Sequence, residues 1–161
     1  RCAEVFAARY TWRHGGDPAP GRSLTTAFEL GIPAIYVEGR GGLSVRADEL
    51  HGYVDGVCRV LRSMGMVDDA APAVHRPIRV WGDGNTDAGI TAPCGGYLVG
   101  VRSVGDPVVE GEVVARVVDD ATAPLADVVA PTAGVVMLLR RDARVTAGDT
   151  VCIVAPLEVD A

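Results

Sequence analysis

An internal repeat in the second half of the chain constrains the fold more than any other feature of the sequence. Residues 92–96 (APCGG) recur 38 positions later as residues 130–134 (APTAG). Residues 108–114 (VVEGEVV) correspond to residues 145–151 (VTAGDTV) at an offset of 37. Valine-rich segments that contain a Gly-acid pair are typical of two strands joined by a turn with a glycine at positive φ. The repeat therefore predicts two similar β-units related by a pseudo-twofold axis.

The chain changes character near its middle. Residues 67–77 (VDDAAPAVHRP) have two prolines and no hydrophobic periodicity, which is typical of a linker. Short valine-rich alternations begin at Ile78 and continue beyond the repeat. We therefore expect two domains, residues 1–72 and an all-β domain of residues 73–161.

Three helices are predicted in the first part. The clearest begins at Ala47 and ends at Met64, because its apolar residues recur at steps of three and four: Ala47, Leu50, Val54, Val57, Cys58, Leu61 and Met64. A shorter helix is predicted for residues 23–30, with Ser23 as N-cap and Gly31 as the left-handed residue that follows it. Residues 2–10 have the composition of a third helix, and residues 14–21 that of a loop.

An apolar run precedes a single carboxylate and a cluster of glycines in residues 31–42 (GIPAIYVEGRGG). Residues 32–37 are mostly β-branched or aromatic and are bounded by turn residues, so we expect a buried strand in an α/β layer, with Glu38 as its last residue. Two interpretations of Glu38 stay open. It is either a solvated strand end, or an acid or base aimed into a cleft, where Gly39, Gly41 and Gly42 let a ligand approach the backbone.

Composition excludes several classes of function. The chain has 161 residues, a net charge of −6 and no basic run longer than two arginines, which disfavours nucleic acid and anionic membranes as partners. No apolar run approaches the roughly 18 residues of a membrane span. Four scattered cysteines without a Cys-x-x-Cys pair indicate reduced thiols, so we expect a cytoplasmic protein. The chain begins at Arg1 within a helical pattern, and we expect it to be part of a longer polypeptide.

The paired β-units resemble the barrel-sandwich hybrid fold of biotinyl and lipoyl carrier domains. Those carriers attach their cofactor to a lysine on a hairpin between the two halves, which corresponds here to residues 118–124 (VDDATAP). All fifteen basic residues of this chain are arginines. Covalent attachment of biotin or lipoate to a lysine is therefore chemically impossible in this chain.

The GIPAIYVEG segment, the following amphipathic helix and the β repeat, in that order, resemble the C-terminal portion of the succinylglutamate desuccinylase/aspartoacylase family of zinc-dependent deacylases. The resemblance implies an α/β remnant of a zinc carboxypeptidase-like catalytic domain followed by an all-β barrel-sandwich hybrid (lipoyl-like) domain. It also implies that Glu38 is the general acid/base, which takes a proton from zinc-bound water and passes it to the leaving amine of a small N-acylated amino acid.

The same resemblance identifies two arginines as candidates for substrate binding. Arg22 lies where family members often carry a substrate-side arginine. Arg40 interrupts the glycines that follow Glu38, and it either faces a substrate carboxylate or is solvated.

The family's zinc ligands, a His-x-x-Glu pair and a later histidine, are not found in this chain. Its histidines are His14, His51 and His75, and none begins that motif. We therefore expect zinc in the full-length parent, no metal ligand in this chain, and no activity of this chain alone.

A second hypothesis assigns the chain to a different class of protein. The β repeat is then a non-catalytic binding or assembly module, which contacts a partner or a second copy of itself. Short valine-rich strands have edges that can pair, so a homo-oligomer is compatible with either hypothesis.

Overall fold

A computed structural model describes residues 2–15, 20–41, 44–68, 75–82 and 89–158. The helices in these ranges are α1 (Cys2–Phe6), α2 (Ser23–Glu29) and α3 (Ala47–Ser63). The strands are β1 (Tyr10–His14), β2 (Ile78–Gly82), β3 (Ile90–Thr91), β4 (Gly96–Gly100), β5 (Pro107–Val108), β6 (Val113–Val118), β7 (Pro124–Val129), β8 (Gly134–Leu139), β9 (Arg144–Val145) and β10 (Thr150–Ala155). The chain divides into two compact units, Arg1–Thr11 with Gly16–Arg79 and Trp12–Gly15 with Val80–Ala161.

The second unit contains two four-stranded antiparallel sheets, with strand orders β3-β10-β8-β5 and β7-β6-β4-β9. A shift by one copy of the sequence repeat exchanges β3 with β7, β4 with β8, β5 with β9 and β6 with β10. This exchange converts one strand order into the other. The predicted pair of similar β-units is therefore confirmed, and each sheet contains strands from both copies.

The equivalent strands β4 and β8 each begin at a glycine, because a neighbouring strand passes too close for a side chain. A Cβ atom on Gly96 would lie 2.6 Å from the carbonyl oxygen of Val118, and one on Gly134 would lie 2.3 Å from that of Ala155. Cβ atoms do not approach backbone oxygens so closely in folded proteins. The two glycines are equivalent in the repeat, so the same strand contact is made twice.

The core of the second unit is formed by small β-branched side chains from both sheets. Val114, Val117, Val136 and Val151 are fully buried, and Cys152 is buried among them. Burial of each valine stabilises the fold by about 1.5–3 kcal/mol relative to an exposed side chain. Burial also raises the pKa of the Cys152 thiol to about 11, so this cysteine stays protonated at neutral pH.

The turns of the repeat are built in the same way in both copies. Gly111 and Gly148 have φ of 79° and 91°, as the sequence predicts. The acid that follows each glycine accepts a hydrogen bond from the amide three residues earlier. Glu112 accepts from Val109 at 2.9 Å, and Asp149 accepts from Thr146 at 2.9 Å.

These turns predict an acid-dependent loss of stability. The backbone amides of Val109 and Thr146 are the main causes that lower the pKa of Glu112 and Asp149 below their ordinary values of 4.5 and 3.8. A carboxylate with a lowered folded-state pKa stabilises the fold above its unfolded-state pKa, and this contribution disappears as the pH falls through the folded-state pKa. Stability should therefore decrease below about pH 4.5.

The double variant Glu112→Gln/Asp149→Asn should show a smaller decrease in thermal midpoint between neutral pH and about pH 3 than the unmodified chain. Thermal unfolding of both chains across this range measures the difference. The variant Glu110→Gln is a control, because Glu110 is exposed. Parallel pH profiles of the double variant and the unmodified chain would contradict the assignment.

The first unit confirms the predicted helix α3. The helix begins at Ala47 and ends at Ser63, Met64 is its C-cap, and Gly65 follows with φ of 70°. Within the residues that the structure describes, none of the three helices combines the length and apolarity needed to cross a membrane.

Two other helix predictions need correction at their boundaries. Helix α2 begins at Ser23, but its N-cap is Arg22, whose side chain makes no capping hydrogen bond; Ser23 is therefore not the cap. Gly31 has the expected positive φ of 67°. Helix α1 ends at Phe6 because Ala7 adopts φ of 58°, and β1 follows, so residues 7–10 are not helical and His14 belongs to a strand. Residues 16–19 of the predicted loop lie outside the described residues.

The predicted buried strand at residues 32–37 is wrong for this structure. The segment pairs with no strand in the described ranges, and Ile32 and Tyr36 are 55% and 71% exposed. The sequence has the composition of a strand, but a strand forms only where a neighbouring strand accepts its hydrogen bonds.

The glycines of α3 differ in their surroundings. A Cβ atom on Gly56 would lie 2.5 Å from Cζ of Phe6, whereas one on Gly52 would meet nothing within 4 Å. Arg59 also donates two hydrogen bonds to the Phe6 carbonyl, at 2.7 and 3.2 Å. Helix α1 is therefore fixed against α3 at Gly56.

We expect opposite effects from alanine at these two glycines. Gly52→Ala should stabilise the first unit by about 0.5–1 kcal/mol, because alanine favours the helix. Gly56→Ala should destabilise it by about 1–3 kcal/mol, because the methyl group would displace the Phe6 ring. Chemical denaturation followed by the helical circular dichroism signal measures both, and equal effects would refute the proposed packing role of Gly56.

Candidate functional site

Glu38 lies in an exposed segment of the first unit that belongs to no helix or strand. This segment and helix α3 line an open concavity of about 430 Å³. Residues 36–39 and Gly41 contribute one side, and Glu49, Leu50 and Tyr53 of α3 contribute another. The predicted acid therefore lies in a concave surface, although not at the end of a strand.

The carboxylate of Glu38 is accessible in this concavity. Among the described residues, no hydrogen bond or ion pair to the Glu38 side chain is found. Its negative charge is felt by Tyr53, whose pKa is raised first by burial, then by Glu49, and then by Glu38. An accessible carboxylate beside a protonated phenol is able to accept a proton from a small molecule bound in the concavity.

Helix α3 holds the backbone on both sides of Glu38. The Tyr53 hydroxyl donates a hydrogen bond to the Val37 carbonyl at 3.2 Å. The Arg40 amide donates a hydrogen bond to Oε1 of Glu49 at 2.8 Å. Both partners belong to one helix and are one turn apart.

The two arginines predicted to bind substrate are not among the residues that line the concavity. The Arg40 guanidinium lies 3.6 Å from Asp48 and 4.0 Å from Glu49, with its side chain 58% exposed. Arg22 is exposed at the start of α2, where its carbonyl accepts a hydrogen bond from the Thr26 amide at 3.2 Å. Gly42, one of the predicted glycines, lies outside the described residues.

The described residues of this chain do not fit a zinc site. In the described ranges, no three side chains of His, Cys, Asp or Glu are grouped so that they could hold a metal ion. His14 packs edge-on against Trp12 with ring centroids 5.0 Å apart, and His51 and His75 are exposed. A zinc site needs three or four converging ligands, so no zinc-dependent step can be assigned to these residues.

Glu49 and Tyr53 are not predicted from the sequence as site residues. Neither belongs to the apolar stripe that predicts α3, and neither lies in the segment that carries Glu38. The available signal was their spacing, because residues four apart on a helix share a face. That spacing shows that the two side chains point the same way, but not which segment they contact.

The comparisons with known proteins found similarity only among solved structures. No protein-family model matches the chain. No curated protein matches it either.

A succinylglutamate desuccinylase from Silicibacter sp. TM1040 shares 23% identity at a TM-score of 0.84, over 98% of this chain and 48% of that protein. The product-bound ectoine utilization protein EutE (DoeB) from Ruegeria pomeroyi shares 24% identity at a TM-score of 0.83, over 96% of this chain and 47% of that protein. A succinylglutamate desuccinylase/aspartoacylase from Rhodobacter sphaeroides shares 25% identity at a TM-score of 0.76, over 99% of this chain and 49% of that protein. The chain thus has the fold of these family structures over nearly its whole length, and it spans about half the length of each.

Proposed function

We propose that this chain, which shares the fold of the succinylglutamate desuccinylase/aspartoacylase structures, is the C-terminal portion of a zinc-dependent N-acyl amino acid deacylase. In this proposal residues 1–72 belong to a carboxypeptidase-like catalytic domain, and residues 73–161 form a lipoyl-like domain. The observation that carries it is the accessible Glu38 carboxylate in the concavity beside α3. The chain's match to half of each related structure supports the same conclusion.

Glu38 supplies the proton transfers of amide hydrolysis in this proposal. The carboxylate takes a proton from the water whose oxygen bonds to the acyl carbon. It then gives that proton to the amino acid nitrogen as the carbon–nitrogen bond breaks, so the products are a carboxylic acid and a free amino acid. One positioned carboxylate can perform both steps, because the first leaves it protonated for the second.

Zinc belongs to the parent protein in this proposal. Since the described residues of this chain do not form a zinc site, its ligands are assigned to polypeptide outside this chain. Arg22 and Arg40 remain candidates for contacts with a substrate carboxylate, because both are exposed.

The uncovered face of α3 supports a larger catalytic domain. Leu50, Val54 and Val57 lie at helical spacing on one face and are each about half exposed, and Met64 continues the row at 61%. An apolar helix face of this length is normally buried against another element. We assign the remainder of the parent's catalytic domain as the structure that covers it.

The proposed catalytic role of the Glu38 carboxylate can be tested in the full-length parent. Glu38→Gln should lower the turnover of N-acyl amino acids by about 10²- to 10⁴-fold, because an amide cannot accept the proton from water. Steady-state kinetics measure the change. Glu29→Gln is a matched control at another exposed glutamate. A Glu38→Gln enzyme as active as the parent would remove Glu38 from the mechanism and favour the binding-module hypothesis.

The chain alone should bind no stoichiometric zinc and hydrolyse no N-acyl amino acid, because the metal ligands lie elsewhere in the proposal. Metal analysis after dialysis, together with a release assay for the free amino acid, measures both properties. The full-length parent under identical conditions is the control. One equivalent of zinc in the isolated chain, with activity, would overturn this part of the proposal.

A further inference from the structure

We propose that Glu49 and Tyr53 are positioning residues that clamp the backbone on either side of Glu38 and thereby fix the direction of its carboxylate. This inference deepens the proposed function and rests on it for the role of Glu38. The hydrogen bonds that define the clamp are features of the chain itself, so they can be tested apart from any activity.

The clamp consists of two hydrogen bonds that flank the acid. The first joins the Tyr53 hydroxyl to the Val37 carbonyl at 3.2 Å, one residue before Glu38. The second joins the Arg40 amide to Oε1 of Glu49 at 2.8 Å, two residues after it. Because both bonds engage the backbone, they restrain the main chain that carries Glu38 without engaging its side chain.

The segment needs such restraints because it has no strand partner in the described ranges. Residues 32–39 form no sheet pairing there, and most of their side chains are exposed. Removing the conformational freedom of unrestrained residues costs free energy, which such contacts offset. A carboxylate on a mobile segment would spend little time in a productive orientation.

Helix α3 is a firm base for the clamp. The Phe6 ring packs on Gly56 and meets the Tyr53 ring edge-on, with centroids 6.2 Å apart. Arg59 joins the helix to the Phe6 carbonyl by two hydrogen bonds. The Tyr53 ring is therefore held by packing, and its hydroxyl is directed towards Val37.

The backbone at Gly39 lies close to both residues of the clamp. A Cβ atom on this residue would be 3.4 Å from Oε1 of Glu49 and 3.6 Å from the Tyr53 hydroxyl. The side chain of Glu49 is only 18% exposed, whereas that of Asp48 beside it is 55% exposed. Asp48 contacts the Arg40 guanidinium at 3.6 Å and thus provides a matched control on the same helical turn.

The first experiment measures the clamp in this chain by amide hydrogen exchange followed by nuclear magnetic resonance. Glu49→Ala should speed exchange of the Arg40 amide by roughly tenfold, the scale expected for loss of one charge-assisted hydrogen bond. Glu49→Gln retains an oxygen acceptor and should restore most of the protection. Asp48→Asn should leave the Arg40 amide unchanged. Unchanged exchange in folded Glu49→Ala would overturn the clamp.

The second experiment measures the consequence for turnover in the full-length parent. Glu49→Ala and Tyr53→Phe should each lower kcat by about 10- to 100-fold with little change in KM, because a misdirected acid slows the proton transfer rather than binding. Glu49→Gln should recover much of the lost kcat. Tyr97→Phe, which removes a hydroxyl in the second unit, should leave kcat unchanged.

The two experiments separate failure of the clamp from failure of the proposed function. Protection of the Arg40 amide that depends on Glu49, in a parent whose turnover is insensitive to Glu38→Gln, would retain the clamp and refute the proposed function. A parent that requires Glu38 but keeps its kcat in both Glu49→Ala and Tyr53→Phe would refute the positioning role. A rise in KM without a fall in kcat would also refute the positioning role.

Discussion

The attachment of residues 37–40 to helix α3 is the interaction on which the candidate site depends. The segment that carries Glu38 makes no sheet ladder in the described residues, so its conformation follows from a few contacts. Two of these contacts come from side chains one helical turn apart. Glu49 accepts a hydrogen bond from the Arg40 amide, and Tyr53 donates one to the Val37 carbonyl. The helix is in turn fixed by the Phe6 ring, which occupies the space that Gly56 leaves open. A glycine that weakens the helix locally thus strengthens its attachment to α1.

The second unit depends on a different constraint, the close approach of two neighbouring strands within each copy of the repeat. Gly96 and Gly134 are required because a neighbouring carbonyl oxygen lies where a Cβ atom would be. The two sheets then exchange strands between copies, so neither copy completes a sheet by itself. All basic residues of the chain are arginines, so this unit offers no lysine for covalent attachment of a cofactor. The fold of the chain is shared with a succinylglutamate desuccinylase structure over 98% of its length.

The sequence predicted those elements whose signals are local. Helix α3 follows from hydrophobic periodicity, and Gly31, Gly111 and Gly148 adopt the positive φ that their turns predict. Predictions that depended on distant partners were less accurate. Residues 32–37 have the composition of a strand but find no partner strand within the described ranges. The N-cap prediction failed for a local reason, because α2 begins one residue earlier than it required and Arg22 is the cap. Arg40 faces Asp48 and Glu49, which sequence spacing alone could not indicate.

The sequence by itself determined the internal repeat, the amphipathic helix, the resemblance to the deacylase family and the exclusion of a lysine-linked cofactor. Each of these can be recognised from the identity and order of the residues along the chain. Only the tertiary structure decided that Glu38 lines an open concavity, that Glu49 and Tyr53 hold its backbone, and that Gly56 serves packing whereas Gly52 does not. The physical reason is that these features are contacts between segments distant along the chain, and the distance between such segments is set by packing of the whole unit.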